Sequence, residues 1–328
     1  ENTMTARKLF LSAGAVALAG LIAAPASAVA QDYPTKPVHM IVPFGQGGAT
    51  DQVARMIAPL LEEKLGQSVV IVNQPGAGGA IGLSNLSRAR ADGYTIGIGS
   101  DTTLGARPMM SETGYTADSL DTIARIVEIP SGVAVRADSE YQTLNDLVDA
   151  MKAGDLTYSG SGVASGPHLA MAVFLEENDV EAVFVNSNSN QEGMVKLLSG
   201  EVDFLTGGGS NFPSLFDENG KGDIRVLGLA AEERWPYLPN VPTYKEQGFD
   251  YLRSQWFGFV APSGTPKEAI DTLAAAVKEM VADPAFQDRL KEFYFNPAFL
   301  GPDAMRAQIK EEEDSMRPIL DELVLLKK

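Results

Sequence analysis

The 328-residue chain has no cysteine, two histidines and two tryptophans. Without cysteine there is no disulfide framework, no thiolate metal site and no thiol nucleophile. His39 and His168 are too few for a histidine-rich metal centre. Basic residues are scarce, and the formal charge is −17. An acidic balance argues against nucleic acid and anionic membrane surfaces as partners. Beyond residue 30 no run is long and apolar enough to span a bilayer. There is no G-x-x-x-x-G-K-[ST] loop and no G-x-S-x-G elbow. Neither glycine-rich loop completes G-x-G-x-x-G, and the second strand ends in Asn73 rather than an acid. Nucleotide phosphate is therefore a poor fit.

What is present begins with a leader. Arg7 and Lys8 precede an apolar stretch over 9–24, and Ala26-Ser27-Ala28 and Ala28-Val29-Ala30 are small-residue cleavage sites. This predicts a signal peptide over residues 1–30, cut after Ala28 or Ala30, and an exported, periplasmic protein. Residues 1–3 precede Met4 and read as an artefact ahead of the natural start.

The remaining chain, in a sequence that is 45% hydrophobic, suffices for two lobes. Strand-like and helix-like segments alternate. VHMIV at 38–42 is followed by PFGQGGATD and a helix to about 65, with apolar positions at Val53, Met56, Ile57, Leu60, Leu61 and Leu65. Asp51 reads as its N-cap, and Pro59 as a kink. VVIVN at 69–73, the loop QPGAGGA, a helix over 81–91 and TIGIGS at 95–100 complete the first series. A second series starts near Gly132 and repeats the plan, with strands at 157, 182–185, 202–206 and 224–230. The loop GSGVASG, 160–166, opens one of its helices. A long strand over 255–262 and helices over 267–282, 284–293 and 303–326 close the chain. Alternation of this kind predicts an α/β fold with crossover helices and two open sheets.

In such sheets ligands sit beyond the carboxyl ends of the strands. All three Gly- or Ser-rich loops lie at strand-to-helix junctions. Glycine lets a ligand approach main-chain N–H groups, and a helix start offers unpaired donors with partial positive charge. Together they can hold an anion without lysine or arginine. The alternatives are plain tight turns or, for Ser161 or Ser165 with His168, hydrolytic chemistry in an exported two-lobe enzyme. Asp203 reads either as a buried hydrogen-bonding acid or as a hinge contact.

The stretches YPTKPVHMIVPFGQGGATDQVAR, NQPGAGGAIG, ADGYTIGIGS, SGPHLAMAVF, LLSGEVDF, LPNVPTYKEQGF and WFGFVAPSGTP run in order from residue 33 to residue 266. Together they resemble the extracytoplasmic binding proteins of tripartite tricarboxylate transporters, the Bug family. The resemblance implies a two-lobed Venus-flytrap (type II) periplasmic-binding-protein fold with an open mixed or parallel sheet in each lobe. Lobe 1 would take 33–131 and lobe 2 132–250. Residues 251–328 would cross back and add C-terminal helices, mainly to lobe 1. It further implies a monomer that needs no metal or cofactor, is not an enzyme, and delivers a small carboxylate to membrane permease subunits. Service to a sensor kinase is the other expectation.

Carried over by position, ligand contacts fall on Phe44, Gln46, Gly47, Gly48, Thr50 and Asp51, on Gly78, Gly79 and Ala80, on Ser100, and on Ser161, Ser165 and His168. Where the family often has V-P-Y-[KR]-G, this chain has Val185-Asn186-Ser187-Asn188-Ser189. Where it often places an acid, Gly207-Gly208-Gly209 stands. Asn186, Ser187 and Gly207 would then leave the second lobe's half of the site roomier and less basic. The expected ligand has a polar or bulky far end rather than a second tightly paired carboxylate.

Overall fold

The structure is a computed structural model that describes residues 33–47, 49–216 and 222–323. The expected leader, Gly48 and the expected helix positions 324–326 lie outside the described residues. In chain order the elements are β1 (Val38–Val42), α1 (Ala49–Leu65), β2 (Val69–Asn73), α2 (Ala80–Ser87), β3 (Thr95–Ser100), α3 (Arg107–Met110) and β4 (Leu120–Arg136). Then come α4 (Leu144–Ala153), β5 (Thr157–Ser159), α5 (Gly166–Glu177), β6 (Val183–Phe184), α6 (Asn190–Ser199), β7 (Phe204–Gly208) and β8 (Ile224–Leu229). The chain closes with β9 (Ser254–Pro262), α7 (Lys267–Ala282), α8 (Pro284–Lys291), β10 (Asn296–Leu300) and α9 (Pro302–Glu322).

β1 lies between β2 and β3, parallel to both. β3 pairs antiparallel with β9, and β9 with β4. β4 is the element that joins the two halves. Up to Pro130 it pairs with β9 and β10; from Ser131 to Arg136 it pairs with β7 and β8. Beyond β7 lie β5 and β6, parallel again. The second series thus starts inside a strand of 17 residues rather than with a strand of its own. Its first part carries three charged residues, Asp121, Arg125 and Glu128. In the fold, Arg125 Nε donates to Ala298 O, its Nη1 donates to Gln308 Oε1, and Nη1 also pairs with Glu128.

The apolar stripe of α1 packs as its spacing predicts. Val53, Ile57 and Leu61 are buried with Met40 and Ile98 of the sheet and Val277 and Met280 of α7. Full burial of one such side chain contributes roughly 1.5–3 kcal/mol. Helix ends follow local chemistry. Thr143 and Asp146 form a reciprocal capping box on α4, and Gly154 ends it. α9 serves both halves: Met305 and Ile309 pack with Leu83 and Trp256, whereas Met316, Ile319 and Leu320 pack with Leu169 and Phe174. Asp203 is neither buried nor at a crossing. It is exposed, and its carboxylate accepts from Thr157 N and Oγ1.

Gly82 of α2 fixes how the first two strand ends approach each other. A Cβ there would stand 2.8 Å from both Pro43 Cα and Gln74 O. Alanine gains up to about 1 kcal/mol in helix propensity over glycine. Forcing backbone apart costs about 1–3 kcal/mol, so the clash should win. Gly82→Ala is expected to lower the urea midpoint; an unchanged or higher midpoint would show slack between the loops.

Candidate functional site

Because β1, β2 and β3 are parallel, their carboxyl ends share one edge. The loops after β1 and β2 and the turn after β3 meet there. The first loop is held by a network rather than left bare. Asn73, the last residue of β2, donates through one amide nitrogen to Phe44 O (3.0 Å) and to Asp51 Oδ1 (2.8 Å). Asp51 Oδ2 accepts from Gly47 N (2.8 Å) and Arg55 Nε (2.8 Å). Asp51 is therefore not the N-cap of α1, which begins at Ala49. It sits in the first turn and reaches back to the loop. The Arg55 hydrogen bond, helped by Gly47 N–H and Asn73 against the cost of burial, holds its carboxyl down at about 2. Thr50 is buried beside it, whereas Gln46 and Gly47 are exposed.

The second loop needs glycine for its shape. Gly76, Ala77, Gly78 and Gly79 all have positive φ, at 134°, 48°, 62° and 96°. Gly79 N donates to Gly76 O, and Ala80 N to Ala77 O. A Cβ on Gly79 would lie 3.1 Å from Thr103 Cγ2 and 3.2 Å from Phe44 Cζ. The second loop thus touches both the first loop and the turn after β3. Ser100 closes that turn, its N–H donating to Thr103 Oγ1 at 2.8 Å. Ala80 is buried at the start of α2. The sequence reading did not foresee a cation here, yet Arg107 Nη2 lies 2.7 Å from where a Gly78 Cβ would stand. Arg107 Nε is buried without a hydrogen-bond partner among the described residues.

The opposing wall begins at the end of β5. Ser165 caps α5, its Oγ accepting from His168 N at 3.4 Å. The His168 ring is buried, 4.0 Å from the Phe184 ring centroid, and its Nδ1 accepts from Ala164 N at 2.9 Å. Burial lowers its pKa to about 4, so the imidazole is neutral at ordinary pH. Ser161 is half-buried in the loop before α5. Asn186 is exposed, and its Oδ1 accepts from Val163 N. Ser187 faces inward; its Oγ is 2.6 Å from Ser159 Oγ. Gly207 is buried against Asn190 Oδ1, an acceptor without a partner among the described residues. The two walls touch where Asp101, just past β3, meets the first residue of α5: Asp101 Oδ2 is 2.9 Å from a Gly166 Cβ position.

This arrangement has known counterparts. The profile of the tripartite tricarboxylate transporter family receptors matches residues 53–325. The chain belongs to that family. It is 30% identical to protein BugT of Bordetella pertussis over 303 residues, 90% of this chain and 91% of BugT. A TctC solute-binding protein from Polaromonas, solved without ligand, superposes with a TM-score of 0.81 at 27% identity, covering 88% of this chain and 99% of that one. An R. palustris protein solved with adipate gives a TM-score of 0.68 at 29% identity, with 88% and 98% covered.

The fold is the two-lobed α/β fold of these receptors, and the protein is a solute-binding receptor rather than an enzyme. The geometry does not pair Ser165 with His168 as nucleophile and base. Ser165 Oγ takes the main-chain N–H of His168, not its imidazole, and the imidazole Nδ1 is already engaged. Among the described residues no cluster of three His, Cys, Asp or Glu could hold a metal ion, and no helix is long and apolar enough to cross a membrane.

Two pH experiments follow from these groups. A carboxyl whose folded pKa is depressed stabilises the fold above its unfolded value, here 3.8, and loses that contribution as pH falls toward about 2. Asp51→Asn should therefore destabilise the protein at neutral pH, with the gap to wild type narrowing below about pH 4. Denaturation at stepped pH measures it, and a gap independent of pH would refute the ionic role. For His168 the folded pKa lies below the ordinary 6.5. The unfolded chain then binds the proton first, and this residue's contribution to stability declines as pH drops from about 6.5 to about 4. Its ring resonances should not titrate between pH 8 and about 5; a midpoint near 6.5 would mean the ring is not enclosed.

Proposed function

We propose that this protein is an exported periplasmic receptor that closes on a small organic carboxylate and delivers it to the membrane subunits of a tripartite transporter. The observation that carries this reading is the meeting of three glycine- or serine-bearing strand ends with the start of α5. The carboxylate would lie against the loops holding Phe44, Gln46, Gly47, Gly78 and Gly79, close to Ser100. Ser161 and Ser165 would close over it from the other lobe, and His168 would shape that loop as a neutral, packed ring. The lobes would divide near Pro130–Ser131 on β4, where pairing changes from β9 to β7, and again near Arg253–Ser254 before β9. The solved relative with adipate supports a carboxylate ligand, as does the family's link to tricarboxylate transport.

The energetics are adequate. Each hydrogen bond to a charged group contributes roughly 1.5–3 kcal/mol net. Three to five of them, less the cost of association, reach the micromolar range at about −8 kcal/mol. Fixed dipoles within hydrogen-bond reach outweigh a diffuse surface charge that is screened beyond about 8 Å. A thermal-shift screen against mono- and dicarboxylates tests the reading. A ligand at 100 times its Kd should stabilise by about 2.7 kcal/mol. Gly79→Val puts a branched side chain at positive φ between Phe44 and Thr103. It should abolish the shift while circular dichroism stays native. Normal ligand response in that variant would remove the second loop from the site.

A further inference from the structure

The segment after β3 carries an arginine that the fold leaves without a counter-ion. Residues Thr102–Ala106 form one turn of π-helix, closed by Arg107 N–H donating to Thr102 O, and α3 follows directly. Such wide turns are rare and recur at functional sites. Here the turn lays Thr103 and Arg107 along the second loop. Thr103 Cγ2 lies 3.1 Å from a Gly79 Cβ position. The Arg107 guanidinium lies against Gly78, with Nη2, Cζ and Nε at 2.7, 2.9 and 3.3 Å from a Cβ position there. A side chain at 78 would displace it; glycine at positive φ lets it rest on the main chain. Gly78 is exposed and Arg107 half-buried, so the pair sits at the open edge of the loop.

Arg107 Nε is buried with no acceptor, and no hydrogen bond or ion pair holds the guanidinium among the described residues. Tyr115, which the Arg107 charge reaches, supplies no counter-charge. Burial raises its pKa against the pull of Arg107, so it stays a neutral phenol, and its hydroxyl donates to Thr103 O. A buried donor without an acceptor is costly, and native folds keep few of them. We propose that Arg107 sets the affinity of the site: its guanidinium takes the anionic head of the ligand in a forked, two-oxygen contact beside the second loop. This rests on the carboxylate-receptor reading and adds a side-chain charge that main-chain donors do not supply. The planar fork matches two oxygens at once, so lysine is not its equivalent.

Calorimetry on the purified protein with adipate, malate, succinate and benzoate tests this, at about 20 and about 200 mM sodium chloride. Arg107→Met should weaken the tightest of these ligands by about tenfold or more at the lower salt. Because the acidic surface also repels an anion, the deciding readout is the gap between the two proteins rather than either affinity alone. Screening should narrow that gap at the higher salt. Arg107→Lys, which keeps the charge and loses the fork, should recover only part of the loss. An Arg107 that merely shapes the loop would give a gap that salt does not change. That result, or unchanged affinity in Arg107→Met, overturns the proposal and leaves the carboxylate reading standing. Failure of the wild type to bind any of the four overturns both. If Arg107→Met does not fold, Arg107→Gln takes its place; if neither folds, Arg107→Lys decides, with unchanged affinity the overturning result.

Discussion

The side-chain amide of Asn73 holds two parts of the first loop at once, the Phe44 carbonyl and the Asp51 carboxylate. Much of the site depends on that single residue at the end of β2. Asp51 in turn fixes Gly47 and is fixed by Arg55. The loop is therefore pinned to the neighbouring strand before any ligand arrives, and less ordering entropy remains to be lost on binding. The second loop reaches the same end differently. Its positive-φ run folds the chain onto itself, with Gly79 and Ala80 bonded back to Gly76 and Ala77.

This rigidity uses up some of the main-chain donors. Not every main-chain donor at these junctions is free. Gly47 N–H is taken by Asp51, and Gly79 and Ala80 N–H by the turn itself. These engaged donors set the curvature of the two loops. Asp51 sits in the first turn of α1, where the field of the helix start stabilises its negative charge, and Arg55 one turn later offsets it. A chain of −17 can thus carry an anion site without a lysine in the loop.

Much of this was legible because it is local. Glycine at strand-to-helix junctions and the apolar stripe of α1 depend on residues a few positions apart, and they appear as the sequence predicts. What escaped is fixed by distant partners. In the first part of β4, Arg125 bonds Ala298, 173 residues away. β10 contains Pro297, which lowers its strand signal, and it forms on the edge where a missing N–H is tolerated. Asp51 looked like a cap because a cap and a first-turn acid share one sequence pattern. Arg107 and Asp101 carry no local motif; they matter because a short helical segment after β3 lays them against Gly78 and Gly166.

The two walls differ in kind, and the difference bears on the ligand. The first presents backbone at positive-φ glycines with Arg107 beside it. The second presents hydroxyls, a buried neutral imidazole and a run of glycines, with Ser187 turned inward to Ser159. Its helix α5 contributes a dipole and no formal charge at its first turn. Where the walls touch lie Asp101 and Glu312, whose carboxyl groups burial pushes toward the neutral form, together with Arg253. Charge is therefore unevenly placed: a guanidinium beside the second loop, no formal charge at the first turn of α5, and carboxyl groups where the walls touch.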